Sequence, residues 1–236
     1  MNLFTKFTSP QIELLKWIAI IAMTIDHIGY IFFPDDITLR IVGRLAFPIF
    51  GFILVHNYLF FTKCKNEFIK RLFIFSLISQ PFYMLLFPEK LNIFILLSFS
   101  LLFIKKIEDS LQYENFISYA IKDGNIINSL LIIFIPFFIF YFHNNLDYGL
   151  LGFLLIISIF LTFKKIIWIP MFLFFLFLLN LNSTIEYMYA TLFFIPFIFL
   201  IKFLNKLKIN RTNSLFFYIF YPAHISILFI LSFVIL

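Results

Sequence analysis

Charge is scarce in this chain. Only 13% of its 236 residues are Asp, Glu, Lys or Arg, about half the share of an ordinary soluble domain, while 63% are hydrophobic. That combination excludes a water-soluble fold, because no single core could hide so much apolar surface. Cysteine is rarer still. Cys64 stands alone, which rules out an internal disulfide, and no Cys and His spacing suits zinc or haem, so no metal is expected. Glycine is confined to positions 29, 43, 51, 124, 149 and 152, all but Gly124 beside polar residues, which marks places where the backbone is constrained. Internal repeats, low-complexity linkers and extended soluble loops are also missing, so residues 1–236 read as a single membrane domain.

What is present is a succession of apolar runs, with a mean hydropathy of +1.04. They lie near 12–33, 40–61, 68–87, 91–107, 127–142, 146–163, 165–181, 185–204 and 214–235, each close to the twenty or so helical residues that a hydrocarbon core requires. The expected fold is an all-α integral membrane protein, a polytopic bundle of about nine transmembrane helices. The first run contains Asp26 and His27, which suits a retained helix better than a signal peptide. Forty Phe, many Ile, Asn and Lys, and few Ala reflect codon composition, so the aromatic content says little about function.

Basic residues give an independent check on the helix count, because they collect in alternate, cytoplasmic loops. With the amino terminus inside, fifteen of the eighteen fall there: Lys6 and Lys16; Lys63, Lys65, Lys70 and Arg71; Lys105, Lys106 and Lys122; Lys164 and Lys165; and Lys202, Lys206, Lys208 and Arg211. Arg40 and Lys90 lie outside and Arg44 within the second run. The net charge of +6 is therefore a topology signal at helix ends, and nucleic acid is not an expected partner. The longest connection, near 105–126, is mixed and charged and reads as lying along the cytoplasmic surface.

An ionisable group within a bilayer costs several kcal/mol unless it is paired or hydrated, so each one needs an account. Asp26 and His27 fall in the outer half of the first helix, about 100° apart around its axis, and their partners must come from other helices. Arg44 reaches a similar depth on the second helix, and an Asp26–Arg44 ion pair is the plain structural reading. Gln80-Pro81, Asn92 and the loop carrying His143, Asp147, Tyr148 and Gly149 approach the same side. In the last helix Tyr218, Tyr221 and His224 recur at i, i+3 and i+6, with Pro222 freeing a carbonyl beside them. A single tyrosine-satisfied imidazole would also explain His224. Together these residues outline a polar cavity in the outer half, whereas His56 and His143 read as incidental and Pro136, Pro170 and Pro196 as helix adjustment.

The segments Leu15-Lys16-Trp17-Ile18-Ala19, Met23-Thr24-Ile25-Asp26-His27-Ile28-Gly29 and Arg40-Ile41-Val42-Gly43-Arg44-Leu45-Ala46-Phe47-Pro48 resemble the TraX family. The likeness continues through Arg71-Leu72, Ser79-Gln80-Pro81-Phe82, Asn92-Ile93, Asp147-Tyr148-Gly149 with Gly152, and Phe217 to His224, in family order from first helix to last. The chain departs from the pattern after Val55, where His56-Asn57 stand in place of an acidic residue and glycine. The family is named for a conjugative-plasmid membrane protein that acetylates the amino terminus of F-type pilin with acetyl-CoA. The resemblance implies a bacterial inner-membrane acyltransferase acting on a membrane or exported acceptor such as a pilin.

Amide formation needs a base for the amine proton and donors for the tetrahedral oxyanion. The expected roles are His27 as base, oriented by Asp26 or a neighbouring helix, with Tyr221, Gln80 or Asn92 as hydrogen-bond donors. His224 is an alternative base or an acyl-carrying nucleophile. Arg44, Asp147 and Tyr218 complete the substrate contacts. Lys70, Arg71 and the Lys202–Arg211 cluster are candidates for the phosphates of acetyl-CoA. A small transporter or channel, and a noncatalytic assembly factor, are the alternative readings of the same buried polar groups.

Overall fold

The computed structural model describes residues 4–113, 126–180, 185–204 and 207–235. Lys122, Gly124 and Lys206, named above for charge or backbone geometry, lie outside them. The helices are α1 (Ser9–Phe32), α2 (Ile37–Gly43), α3 (Ala46–Phe60), α4 (Lys65–Leu86), α5 (Ile93–Ser110), α6 (Ile126–Tyr141), α7 (Gly149–Lys164), α8 (Ile169–Leu178), α9 (Ile185–Leu192), α10 (Phe194–Phe203) and α11 (Ser214–Ile235). A 3₁₀ turn, Ile166–Trp168, leads into α8.

Prolines explain where the runs break. Pro48 offers no N–H to the carbonyl of Arg44, and its ring crowds that carbonyl, so the second run divides into α2 and α3 at Arg44–Leu45. Pro196 stands in the same relation to Leu192 and separates α9 from α10. Helix starts follow local polar signals. Gln11 Oε1 accepts the Thr8 amide at 2.8 Å before α1, Asp36 accepts the Thr38 amide at 2.8 Å for α2, and Asn92 accepts the Phe94 amide at 3.0 Å for α5.

Taking the broken pairs as single runs gives nine helical segments among the described residues. Five are long and apolar enough to cross a bilayer: Ser9–Phe32, Ile37–Phe60, Lys65–Leu86, Glu186–Phe203 and Ser214–Ile235. The expectation of about nine transmembrane helices is thus met among the described residues by nine helical segments, five of them of membrane-spanning length and composition. Gly149–Lys164 has 16 residues and at 1.5 Å per residue reaches about 24 Å, short of the ~30 Å hydrocarbon thickness. Helix α5 ends on Lys105, Lys106, Glu108 and Asp109, which shortens its apolar part.

Helix α3 is apolar all round and sits at the centre, with Phe47, Ile49, Phe52, Val55 and Tyr58 buried against α1, α5 and α7. The periphery is the inverse of a soluble protein: Leu77, Ile127 and Phe233 are 72%, 72% and 75% exposed, as side chains facing lipid would be.

The two ends of the bundle differ. At one, Glu108 accepts from Tyr58 at 2.7 Å, Lys65 at 2.8 Å and Lys164 at 2.6 Å, joining α3, α4, α5 and α7. There also Gln11 Nε2 donates to the carbonyls of Ile201 and Lys202, Lys202 Nζ donates to the Lys6 carbonyl at 2.7 Å, and His56 Nε2 accepts the Phe7 amide at 2.9 Å. This basic end holds most of the lysines. At the distal end, the loops before α5 and α7 run side by side, with Leu91 N–H donating to the Asn145 carbonyl at 2.7 Å and a single bridge between Leu91 and Leu146.

Candidate functional site

A cavity of about 550 Å³ opens near the distal end, between α1, α2, α3, the tip of α4 and the 142–148 loop. Asp26, His27, Arg40, Arg44, Tyr83, Asp147, Tyr148 and Tyr221 all line it. Its central feature joins the first and last helices, 197 residues apart: His27 Nδ1 lies 2.8 Å from His224 Nε2, with the rings coplanar to within 5°. Both residues are buried.

The proton positions follow from one contact. His224 Nδ1 is 3.0 Å from the Phe220 carbonyl, which can only accept, so that nitrogen carries hydrogen. A neutral His224 then presents a lone pair at Nε2, which accepts from His27 Nδ1–H. This leaves the lone pair of His27 on Nε2, the nitrogen not engaged by His224. Pro222 keeps the preceding turn of α11 open, because it has no N–H for the Tyr218 carbonyl.

Asp26 is held mainly by Arg40. Arg40 Nη1 donates to Asp26 Oδ2 at 2.9 Å and to the Asp26 carbonyl at 3.1 Å, whereas the expected partner Arg44 comes only to 4.0 Å of Oδ1. Arg44 sits at the α2–α3 break and stacks over the Tyr187 ring at 4.8 Å. Among the described residues, Asp26 Oδ1 and Arg44 Nε consequently have no hydrogen-bond partner. Gly43 makes the approach possible, since a Cβ there would fall on the Asp26 carboxyl group.

On the opposite wall Tyr83 donates to Asp147 at 2.5 Å. Tyr148 adopts φ 58° and Gly149 φ 46°, and this left-handed corner lays the Tyr148 ring on Phe47, centroids 4.1 Å apart. Burial holds the Asp147 carboxyl above its ordinary range, against the opposing effect of the Tyr83 hydrogen bond. Burial likewise pushes the Tyr148 phenol up to about 12.

Of the residues singled out in the sequence, Asp26, His27, Arg44, Asp147 and Tyr221 line this cavity, and His224 stands behind His27. Gln80 and Asn92 do not. Gln80 Oε1 accepts the Asn92 amide and side-chain N–H groups at 2.9 Å each, Gln80 Nε2 donates to the Lys90 carbonyl, and Asn92 Nδ2 donates to the Ser76 carbonyl at 2.8 Å. These bonds fix the α4–α5 turn, and neither side chain lines the cavity where the oxyanion role would be exercised. His143 reaches the cavity rim. Arg40 as the Asp26 partner, and Tyr83, were missed. The signal for the first was the Arg40–Arg44 spacing of i, i+4, which puts both guanidinium groups on one helix face.

A second cavity, of about 610 Å³, opens toward the basic end. Tyr218 and Arg71 line it, as do Lys16, Lys63 and Arg211, but Lys70 and Lys202 do not. Among the described residues no cluster of three or more His, Cys, Asp or Glu side chains is arranged to hold a metal.

The TraX protein family model matches residues 11–232, nearly the whole chain. The chain belongs to the TraX family. A protein of Rickettsia prowazekii (strain Madrid E), itself uncharacterized, is 42% identical over 86 residues, covering 36% of this chain and 32% of that protein. A probable fimbrial assembly protein FimC, serogroup H1, of Dichelobacter nodosus is 42% identical over 73 residues, covering 29% of this chain and 30% of that protein. The chain thus aligns with about a third of the length of these relatives. No solved structure matches it.

Proposed function

We propose that this TraX-family chain is a multi-pass membrane acyltransferase that moves an acetyl group from acetyl-CoA to an amino group of a membrane or exported acceptor. The basic end faces the cytoplasm in this reading, in line with the bias of Lys and Arg, and all nine segments traverse the bacterial inner membrane, the shorter ones where it thins or where they tilt little. The His27–His224 pair carries the proposal, because it supplies a buried imidazole whose free lone pair is fixed by hydrogen bonding.

The acceptor amine attacks the thioester carbonyl carbon, a C–N bond forms, and His27 Nε2 takes the amine proton. Collapse of the tetrahedral oxyanion breaks the C–S bond, and the coenzyme A thiolate leaves with the proton that His27 held. His224 touches no substrate. Its Nε2 lone pair holds His27 in the productive tautomer and stabilises the imidazolium, as the third member of a catalytic triad does. The unmatched Asp26 Oδ1 suits an N–H of the approaching amine, and Arg44 Nε suits a carbonyl or oxyanion. The fimbrial assembly relative supports an acceptor in the pilus context, such as a pilin amino terminus.

Incubation of the purified chain with labelled acetyl-CoA and cell membranes tests the reading. It predicts one labelled acceptor, lost with His27→Ala at equal protein level; absence of acetyl-CoA-dependent labelling overturns it. A carrier is the second reading, favoured by two cavities that meet inside the bundle, and counterflow in proteoliposomes would reveal it.

A further inference from the structure

The two cavities share four wall residues, Met23 of α1, Phe50 of α3, Ile93 of α5 and Tyr221 of α11. Among the described residues, these four are the wall that the two spaces have in common. Met23 lies one turn below His27 on the same helix, about 6 Å along the axis, and Lys16 at the basic mouth lies about 10 Å further down. The passage from mouth to imidazole is thus about 16 Å deep, which suits a long thin arm better than a compact acid.

Its lining changes along that depth. Below the partition the walls are apolar, with Leu54, Leu72, Phe94, Leu97 and Phe217. At the mouth stand Lys16, Lys63, Arg71 and Arg211, against Glu13 and Glu67. Lys16 is already paired with Glu13 at 3.0 Å, while Lys63, Arg71 and Arg211 are exposed and form no ion pair within 4 Å among the described residues. Glu13 has a second task. Its Oε1 accepts the Thr212 amide at 3.1 Å, which ties the segment carrying Arg211 against α1 beside the mouth.

Cationic rim, apolar shaft and a thin partition below a base match a ligand with a polyanionic head, a long neutral arm and a reactive terminus. We propose that the basic-end cavity is the port for a coenzyme A thioester: its phosphates dock on Lys63, Arg71 and Arg211, its arm fills the apolar shaft, and its acyl group emerges past Met23, Phe50, Ile93 and Tyr221 beneath His27. The inference rests on the acyltransfer reading and adds to it the route by which a donor from one face meets an acceptor from the other. Tyr221, on both sides of the partition, then contacts the acyl end of the donor.

Cys64 supplies a direct readout, since the chain's single thiol is exposed and lines this mouth. Alkylation of Cys64 in the purified full chain by N-ethylmaleimide is timed with and without desulfo-coenzyme A, which has no competing thiol. Protection of at least tenfold is expected, with inorganic pyrophosphate protecting weakly. Arg71→Glu with Arg211→Glu, both surface changes, should abolish the protection. Ile93→Trp should cut acetyl transfer at least tenfold, and if that variant misfolds, Met23→Phe serves the same purpose.

Unprotected Cys64 in the wild type, or protection indifferent to the arginine changes, overturns the port. Protection that behaves as expected in a protein without transfer overturns acyltransfer and leaves the coenzyme A site standing. Transfer that continues unchanged in Ile93→Trp and Met23→Phe overturns the route through the partition.

Discussion

His27 Nδ1 and His224 Nε2 meet at 2.8 Å, so the first and last helices contribute one proton-handling unit. The arrangement makes the two histidines unequal. His27→Ala removes the base and should lower the proposed transfer by about 10²–10⁴-fold. His224→Gln retains a side-chain oxygen that can accept from His27 Nδ1–H and should keep more activity than His224→Ala. Initial rates with labelled acetyl-CoA at matched protein levels check both, and equal rates for the two His224 variants would remove His224 from the positioning role.

Gly43 sets the distance between α1 and α2. A Cβ there overlaps the Asp26 carboxyl group, whereas a Cβ at Gly51 meets Ile156 and Ile159 at an ordinary 3.5 Å. Gly43→Ala should cost about 1–3 kcal/mol through overpacking and displace the ion pair. Gly51→Ala should change stability by less than ~1 kcal/mol. Melting of the two variants in detergent compares them directly.

Folding raises the Asp147 carboxyl above its ordinary value of 3.8 because it is buried. The protonated form is the one folding favours, so the group's contribution is favourable in acid and becomes a penalty as pH rises above that ordinary value. Asp147→Asn preserves an acceptor for Tyr83. It should raise the melting temperature at about pH 7.5 and lose that advantage at about pH 4. A gain that grows on acidification would contradict the sign.

Glu108 lines neither cavity and binds Tyr58, Lys65 and Lys164 at the basic end. Glu108→Ala leaves the buried Tyr58 hydroxyl without its acceptor. The expected loss is about 1–2 kcal/mol, since hydrogen bonds to a charged group are worth ~1.5–3 kcal/mol and the two lysines are partly solvated. Transfer per folded molecule should not change. Detergent melting and active-site-normalised rates separate the two effects.

The all-α membrane fold was legible because it rests on one-dimensional signals. Long apolar runs need no tertiary information, although 40–61 and 185–204 were read as unbroken where Pro48 and Pro196 divide them through their missing N–H groups. The shortness of α7 was legible in its run, 146–163, whereas the helix ends were not, since residues near them, such as Phe142 and Leu146, are apolar in either conformation. In the site, scarcity did most to mark Asp26, His27 and His224, because intramembrane ionisable groups are costly. Their pairing was not, as it depends on where α11 docks against α1. Gln80 and Asn92 misled for a related reason. Buried amides look alike in sequence whether they serve a substrate or, as here, satisfy the main chain of a turn.

Only 14 residues separate Arg40 from Asp26, and the link between α1 and α2 is the short 33–36 segment. Closing so small a loop costs little entropy and needs nothing from the rest of the chain. The first two helices can therefore be handed from ribosome to bilayer as a hairpin whose carboxylate is already matched by a guanidinium. The Asp26 carboxylate is then neutralised as soon as α2 has emerged, and the later helices are added around a site whose anionic corner already exists.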